Sequence, residues 1–301
     1  MLSIRSITLS LLLLISPSAA YALEATASVY PVWLLLREVA ADVPEMHCSL
    51  LLPASTGCPH DYAMTPHDRQ ALARTDLLVI NGLGLEGSLG SPATLRTMMK
   101  PGASLIDCSE GLEGLIARPD QALEHMQHGA TANPHIFASP SMMMRMARSL
   151  EQGLSRIDPA HAEAYAKGRS SVESALSKRV EQLAAVASKA AGRPVIPQHD
   201  IFDYLLRDAG FSVAAHVQTD EESMPSAAQL AALVRLARKD VCAVITEPQY
   251  PARTADTICS ESGVPCIEID PAATGSESAS FATYLENLDQ GITKLEGIIG
   301  N

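Results

Sequence analysis

An α/β fold of two lobes, each a mostly parallel four-stranded sheet flanked by helices and the two joined by one long backbone helix, is what this sequence predicts. Three observations carry that expectation. Short apolar runs alternate with helical patterns near both ends of the chain, the order that βαβ units need to build a parallel sheet. The stretch Asp158 to Lys189 is rich in Ala, Glu, Lys, Arg and Leu, and after its opening Asp158-Pro159 only Gly168 interrupts it. Histidines stand in turns that follow apolar runs, and parallel sheets bind ligands beyond the carboxyl ends of their strands.

In order, Ala25 to Tyr30 reads as a strand leading into a helix over Val32 to Ala41. His47 to Leu52 reads as a second strand leading, through a Gly/Pro/Cys-rich turn, into a helix over Pro66 to Arg74. Leu77 to Asn81 and Ser104 to Asp107 continue the strand pattern, and a helical run follows Asn133-Pro134-His135. Asp158 and Pro159 offer a helix cap followed by Pro at the first helical position, and Gly192-Arg193-Pro194 offers a stop. Thirty-odd helical residues between them span roughly 48 Å. The segment therefore reads as a strut between lobes, with a long surface helix of one domain as the alternative.

The second half repeats the alternation. Pro194 to Pro197 is strand-like, Ile201 to Ala209 helical, Ser212 to His216 strand-like and Ala227 to Lys239 helical. Val241 to Thr246 reads as a buried strand, Arg253 to Ser262 as a helix and Pro265 to Ile269 as a final strand. No self-similarity strong enough for an internal repeat is visible. The expected partition is a leader over 1–22, a first lobe over 23–157, a linking helix over 158–191 and a second lobe over 192–301.

Arg5, the apolar core Ile7 to Ile15, Pro17 and the small-residue site Ala20-Tyr21-Ala22 make residues 1–22 read as a cleavable secretory signal, hence an exported, periplasmic protein. The formal net charge is −12 over 301 residues, and loss of a leader with one basic residue and no acid takes it to −13. That charge argues against nucleic acid as a partner. Cys48, Cys58, Cys108, Cys242, Cys259 and Cys266 fall three early and three late, which suggests at most one bridge per half, and an oxidising compartment permits disulfides. No Cys-x-x-Cys pair exists, so a zinc knuckle or thioredoxin-type site lacks its signature.

The chemistry lies in four positions. His60 sits in Pro59-His60-Asp61-Tyr62, His135 in Asn133-Pro134-His135, His199 in His199-Asp200, and Asp270 between Ile269 and Pro271. They are 64 to 75 residues apart, unlike a local zinc motif, so the fold must assemble the site. A single histidine beside a helix start is ordinarily a capping or hydrogen-bonded residue. Three of them, each in a turn beside Pro or Asp, point to a shared ion. Three imidazoles and one carboxylate suit Zn(II); Ca(II) prefers oxygen donors, and Mn(II) binds more weakly at any such site. Four protein ligands leave no open position for a water, which argues for capture over catalysis. Asp61 and Asp200 offer themselves as helix caps or as partners that orient the imidazoles, and Glu247 ends a strand facing the same rim. His125 and His128, in the loop-like segment between Gly111 and Ala132, read as solvated surface residues or a weak metal contact.

These residues resemble the zinc- and manganese-binding periplasmic solute-binding proteins of metal-importing ABC transporters, cluster A-I and zinc type. The resemblance rests on Leu51-Leu52-Pro53, Gly57-Cys58-Pro59-His60-Asp61-Tyr62, Thr65-Pro66-His67-Asp68 and Asp76 to Gly82. It continues through Asn133 to Phe137, Ser139-Pro140, His199-Asp200, Thr246 to Tyr250 and Ile269-Asp270-Pro271, and so covers the chain beyond the leader in order. It implies two lobes joined by a backbone helix, one ion between them, and docking of the loaded protein on a membrane permease. Carried over, His60 and His135 are the first-lobe ligands and His199 and Asp270 those of the second. The resemblance further implies zinc over manganese, because the family's manganese members tend to carry Glu where His199 stands. Cys58, where small residues are usual, and Gln198, where an aromatic or aliphatic residue is usual, depart from the pattern. A Cys58 thiolate would shift selectivity toward softer metals, against a disulfide or a buried thiol as the ordinary state.

The expected function is a periplasmic receptor, monomeric, that captures Zn(II) and delivers it to the permease of an ABC importer without turnover. The alternatives are a Mn(II)-binding homologue, a periplasmic zinc chaperone or adhesin on the same scaffold, and a zinc hydrolase. The last lacks His-Glu-x-x-His and Gly-x-Ser-x-Gly.

Overall fold

The computed structural model describes residues 22–57, 59–117, 132–218 and 224–300. Residues 1–21 of the expected leader, Cys58, His125 and His128 lie outside the described residues. Strands β1 (Leu23–Ala27), β2 (Met46–Leu50), β3 (Leu77–Ile80) and β4 (Ser104–Asp107) form one parallel sheet in the order β2-β1-β3-β4. Strands β5 (Pro194–Pro197), β6 (Ser212–Val213), β7 (Ala243–Thr246) and β8 (Cys266–Glu268) form a second in the order β6-β5-β7-β8. The expected two four-stranded parallel sheets are thus present, and both halves share one strand order that their sequences do not display. The inner strands β3 and β7 are buried at every residue, as a sheet covered on both faces requires. Edge strand β2 alternates burial instead.

Helices cover the sheets: α1 (Tyr30–Val39), α2 (Pro66–Leu72), α3 (Pro92–Met98) and α4 (Pro140–Ile157) belong with the first sheet, and α6 (Asp203–Asp208), α7 (Ala227–Asp240) and α8 (Arg253–Ser262) with the second. Helix α5 (Ala162–Ala190) runs between them and α9 (Phe281–Gly300) closes the chain. Helix α1 is apolar around almost its whole circumference, from Tyr30 to Leu36, and is accordingly buried.

Helix α5 has 29 residues, about 44 Å at 1.5 Å per residue. Its start corrects the expected cap. Pro159–His161 form a separate 3-10 turn, Asp158 makes no side-chain cap, and its carboxylate instead accepts from His161 Nδ1 and Tyr165 Oη, both at 2.7 Å. Nor does α5 span open space, since it packs along α4, α1 and α9. A Cβ added at Gly168 would lie 2.2 Å from the Val39 carbonyl oxygen, so glycine is what lets α5 cross the end of α1 at backbone contact. The chain leaves α5 through the left-handed Ala191 (φ 49°) and Gly192 (φ 78°).

Helix α9, beyond the last element expected from the sequence, packs on both α1 and α5. Tyr284 donates to the Phe137 carbonyl at 2.9 Å and Lys294 to the Glu268 carbonyl at 2.6 Å, so the last helix spans the two halves. One continuous core joins residues of both halves, and a smaller cluster lies between β7, α7 and α8. Cys259 in α8 bonds Cys266 in β8, while Cys48, Cys108 and Cys242 are free thiols.

Candidate metal centre

The first-half residues reach the seam between the sheets from two loops. Pro59–Asp61 is a 3-10 turn beyond β2, and Ser88 Oγ donates to the Pro59 carbonyl at 2.5 Å. The turn is tied to α2 by Tyr62, whose hydroxyl donates to Asp68 Oδ2 at 2.9 Å. The same oxygen accepts from Thr65 N at 2.8 Å, while Thr65 Oγ1 accepts from Asp68 N. This reciprocal cap fixes where the loop carrying His60 ends. His135 stands at the start of a 3-10 turn over Ile136–Ala138 and is 1% exposed. The second half contributes His199, 5% exposed, two residues beyond β5, and Glu247, 1% exposed, directly beyond β7.

The fold brings His60, His135 and His199 together. The ring centres of His60 and His135 are 5.8 Å apart and those of His135 and His199 5.5 Å, both pairs edge to face. Two imidazoles sharing one ion at Zn–N distances of about 2.0–2.1 Å have ring centres roughly 5 Å apart, so each of the two pairs is near the spacing that a shared ion sets. Tyr250 closes the far side with its ring centre 5.8 Å from that of His199. Among the described residues, the group whose ligand atoms all lie within 4.8 Å of one another is His135, His199 and Asp200. His60 and Asp270 stand outside that tight group. Asp270 lines an adjoining small cavity with Tyr284 and Asn287, and its carboxylate accepts from Gln249 Nε2 at 2.9 Å, Ala272 N at 2.8 Å and Asn287 Nδ2 at 3.1 Å. With about four lone-pair sites on a carboxylate, these three bonds hold it in place and leave one position over.

Acceptors set the proton positions on the rings. His135 Nδ1 faces Asn133 Oδ1 at 3.0 Å and Asp200 Oδ1 at 3.1 Å. His199 Nδ1 faces Glu247 Oε1. Oxygen acceptors at Nδ1 keep the proton there and leave Nε2 with its lone pair, the arrangement that metal-binding histidines require. Asp200, which follows His199 in the sequence, thus faces His135 of the other half instead, and Glu247 takes the orienting position at His199.

The groups behind His135 carry no metal-ligand motif in the sequence. Asn81, just beyond β3, donates through Nδ2 to the Pro134 carbonyl at 2.9 Å. Its backbone N–H donates to Glu86 Oε1 at 2.7 Å, beside Ser28 Oγ at 2.6 Å, while Gly82 N reaches Oε2 at 3.2 Å. Glu86 is 3% exposed, and burial pushes its carboxyl up to about 7 against the pull of these donors. The signal that marks it is a lone acid inside the apolar, Gly-rich run Gly82 to Gly90.

The family model described as "ZnuA: Zinc-uptake complex component A periplasmic" matches residues 26–297. The chain is 26% identical over 246 residues to the high-affinity zinc uptake system protein ZnuA of Bacillus subtilis (strain 168), covering 80% of this chain and 76% of that one. The Yersinia pestis protein of the same name is 22% identical over 300 residues, 93% of each chain. Among solved structures, the solute-binding protein FpvC of Pseudomonas aeruginosa in complex with Mn2+ superposes with a TM-score of 0.80 at 26% identity, covering 93% of this chain and 99% of that one. With a match over nearly the whole length and three histidines gathered at the seam of two parallel sheets, the chain belongs to the periplasmic zinc-uptake component A family.

Proposed function

We propose that this protein, exported by a cleaved leader over residues 1–22, captures Zn(II) at the seam between a first lobe (23–157) and a second (192–301). The helical segment 158–191 links the lobes. It delivers the ion as a monomer to the permease of an ABC importer and performs no turnover. His60, His135 and His199 supply the imidazoles and Asp270 the carboxylate. The observation that carries this reading is the edge-to-face cluster of three histidine rings at 5.5–5.8 Å, drawn from both halves of the chain. Three nitrogen donors favour zinc over manganese. The Mn2+ complex of the Pseudomonas relative keeps Mn(II) as the competing cargo.

Asp200 is the rival carboxylate, because its oxygen belongs to the tight group with His135 and His199. Metal analysis of protein purified from the periplasm, followed by competitive zinc titration of Asp270→Ala and Asp200→Ala, tests both readings. One zinc per chain, weakened chiefly by Asp270→Ala, is expected. Weakening chiefly by Asp200→Ala transfers the fourth position to Asp200. A protein that binds no zinc contradicts the function.

A further inference from the structure

Asn133 is 1% exposed and lies two residues before His135. Its Oδ1 accepts from the His135 backbone N–H at 2.9 Å, a contact that admits only an oxygen. Its Nδ2 donates to the Asp200 carbonyl at 2.7 Å and approaches Asp203 Oδ2 at 3.3 Å, contacts that admit only an N–H. The two ends of the amide are thereby assigned independently. The oxygen that takes the His135 backbone N–H also stands 3.0 Å from His135 Nδ1. An amide oxygen accepts and never donates, so the proton of a neutral His135 sits on Nδ1. The other end of the same amide grips the backbone of the residue after His199.

We propose that Asn133 is a positioning residue of the metal site, one carboxamide that together with Asp200 Oδ1 holds the proton of His135 on Nδ1 and sets how closely the His199-Asp200 turn of the second half, which carries that oxygen, approaches the ring. The inference rests on the reading of His135 as a zinc ligand. Further bonds fix the backbone of Asn133 and one of the amide's partners. Tyr204 Oη donates to the Asn133 carbonyl at 2.7 Å and accepts from Ile116 N at 3.1 Å, and Asp203 Oδ1 is held by His216 Nε2 at 2.9 Å. The Tyr204 bond uses backbone and survives any substitution at 133. No residue other than Asn or Gln joins an acceptor and a donor in this way, and Gln would carry the amide one methylene further into the site.

The test uses the full chain with N133L, N133D and H135A, each checked for native near-ultraviolet dichroism. In the zinc-free protein, two-dimensional nitrogen NMR of the ring reports the tautomer of His135 without reference to zinc. The expected result is an Nδ1–H ring in the wild type and in N133D, which keeps an acceptor, and a weakened preference in N133L, where Asp200 Oδ1 is the remaining acceptor and the turn that carries it is no longer held by the amide. Zinc affinity is expected to fall about 10- to 100-fold in N133L and to recover only in part in N133D, whose second oxygen faces the Asp200 carbonyl and Asp203. A folded N133L with wild-type tautomer, or one whose zinc affinity is unchanged while H135A is weakened, overturns the proposal. If N133L does not fold, N133D decides it, and wild-type affinity there overturns the spacing role. If H135A leaves zinc binding intact, the ligand reading itself fails, and the tautomer of the zinc-free protein still decides whether Asn133 fixes the ring.

Discussion

His199 Nδ1 is paired with Glu247 Oε1, and both side chains are buried, at 7% and 0% exposure. The two residues follow neighbouring strands, β5 and β7, so the parallel ladder itself sets the pair. The carboxylate keeps the ring proton on Nδ1, raises the basicity of Nε2 and stops rotation about the ring bond. Glu247→Ala is therefore expected to lower zinc affinity about 10- to 100-fold, whereas Glu247→Gln, which retains an accepting oxygen, loses less. Competitive titration against a chelator measures both. Equal affinities in wild type and Glu247→Ala would show the pair to be irrelevant to binding.

Glu86 makes stability depend on pH. Its carboxyl is raised from 4.5 to about 7 by burial. Between those values the native state keeps a proton that the unfolded state has released. Its contribution is thus fully present below the unfolded value and is lost as pH rises through about 7, at about 1.4 kcal/mol per pH unit and on the order of 3 kcal/mol in all. Glu86→Gln cannot titrate, so the stability difference between wild type and variant should change in that direction across the window. Urea unfolding of the zinc-free proteins at several pH values checks it, and a difference independent of pH contradicts the assignment.

Gly168→Ala places a methyl group 2.2 Å from the Val39 carbonyl oxygen. Backbone cannot yield as a side-chain end can, so the variant should lose about 1–3 kcal/mol and several degrees of Tm. Zinc stoichiometry should stay at the wild-type value. A Tm unchanged by the substitution would mean that α5 and α1 separate readily.

The Cys259–Cys266 bridge closes a short loop, with a sequence separation of 7, between α8 and edge strand β8. Loop-closure entropy assigns it roughly 2–3 kcal/mol. The double substitution to serine is expected to lower stability by that order, read by denaturant unfolding, and to leave zinc affinity intact because Cys266 opens β8 at the amino end of its strand whereas His199 lies past the carboxyl end of β5. Lost zinc binding in a folded double variant would contradict that separation of roles.

The alternating apolar runs were enough to read both sheets, because β3 and β7 are buried on both faces and so are continuously apolar. The histidines were legible through the Pro and Asp that punctuate their turns. The Asp158 cap was misread because its Asp-Pro signature serves a 3-10 turn, with the carboxylate taken by His161 and Tyr165. Helix α9 carries a helical apolar pattern, Phe281, Tyr284, Leu288, Ile292, Leu295 and Ile298, yet periodicity does not name a partner, and α9 returns to pack on α1 and α5. The surroundings of Asp270 were equally hidden, since Gln249 and Asn287 reach it from separate elements. The part played by Asn133 required knowing which residues of the second half lie opposite.

X-ray absorption at the zinc edge, on the chain loaded with one equivalent of zinc, tests the central claim most directly. The expected first neighbours are nitrogen or oxygen at about 2.0–2.1 Å, with the multiple scattering of three imidazoles, reduced to two in each of His60→Ala, His135→Ala and His199→Ala. A sulfur neighbour at about 2.3 Å, or an imidazole count that these substitutions do not change, would contradict it.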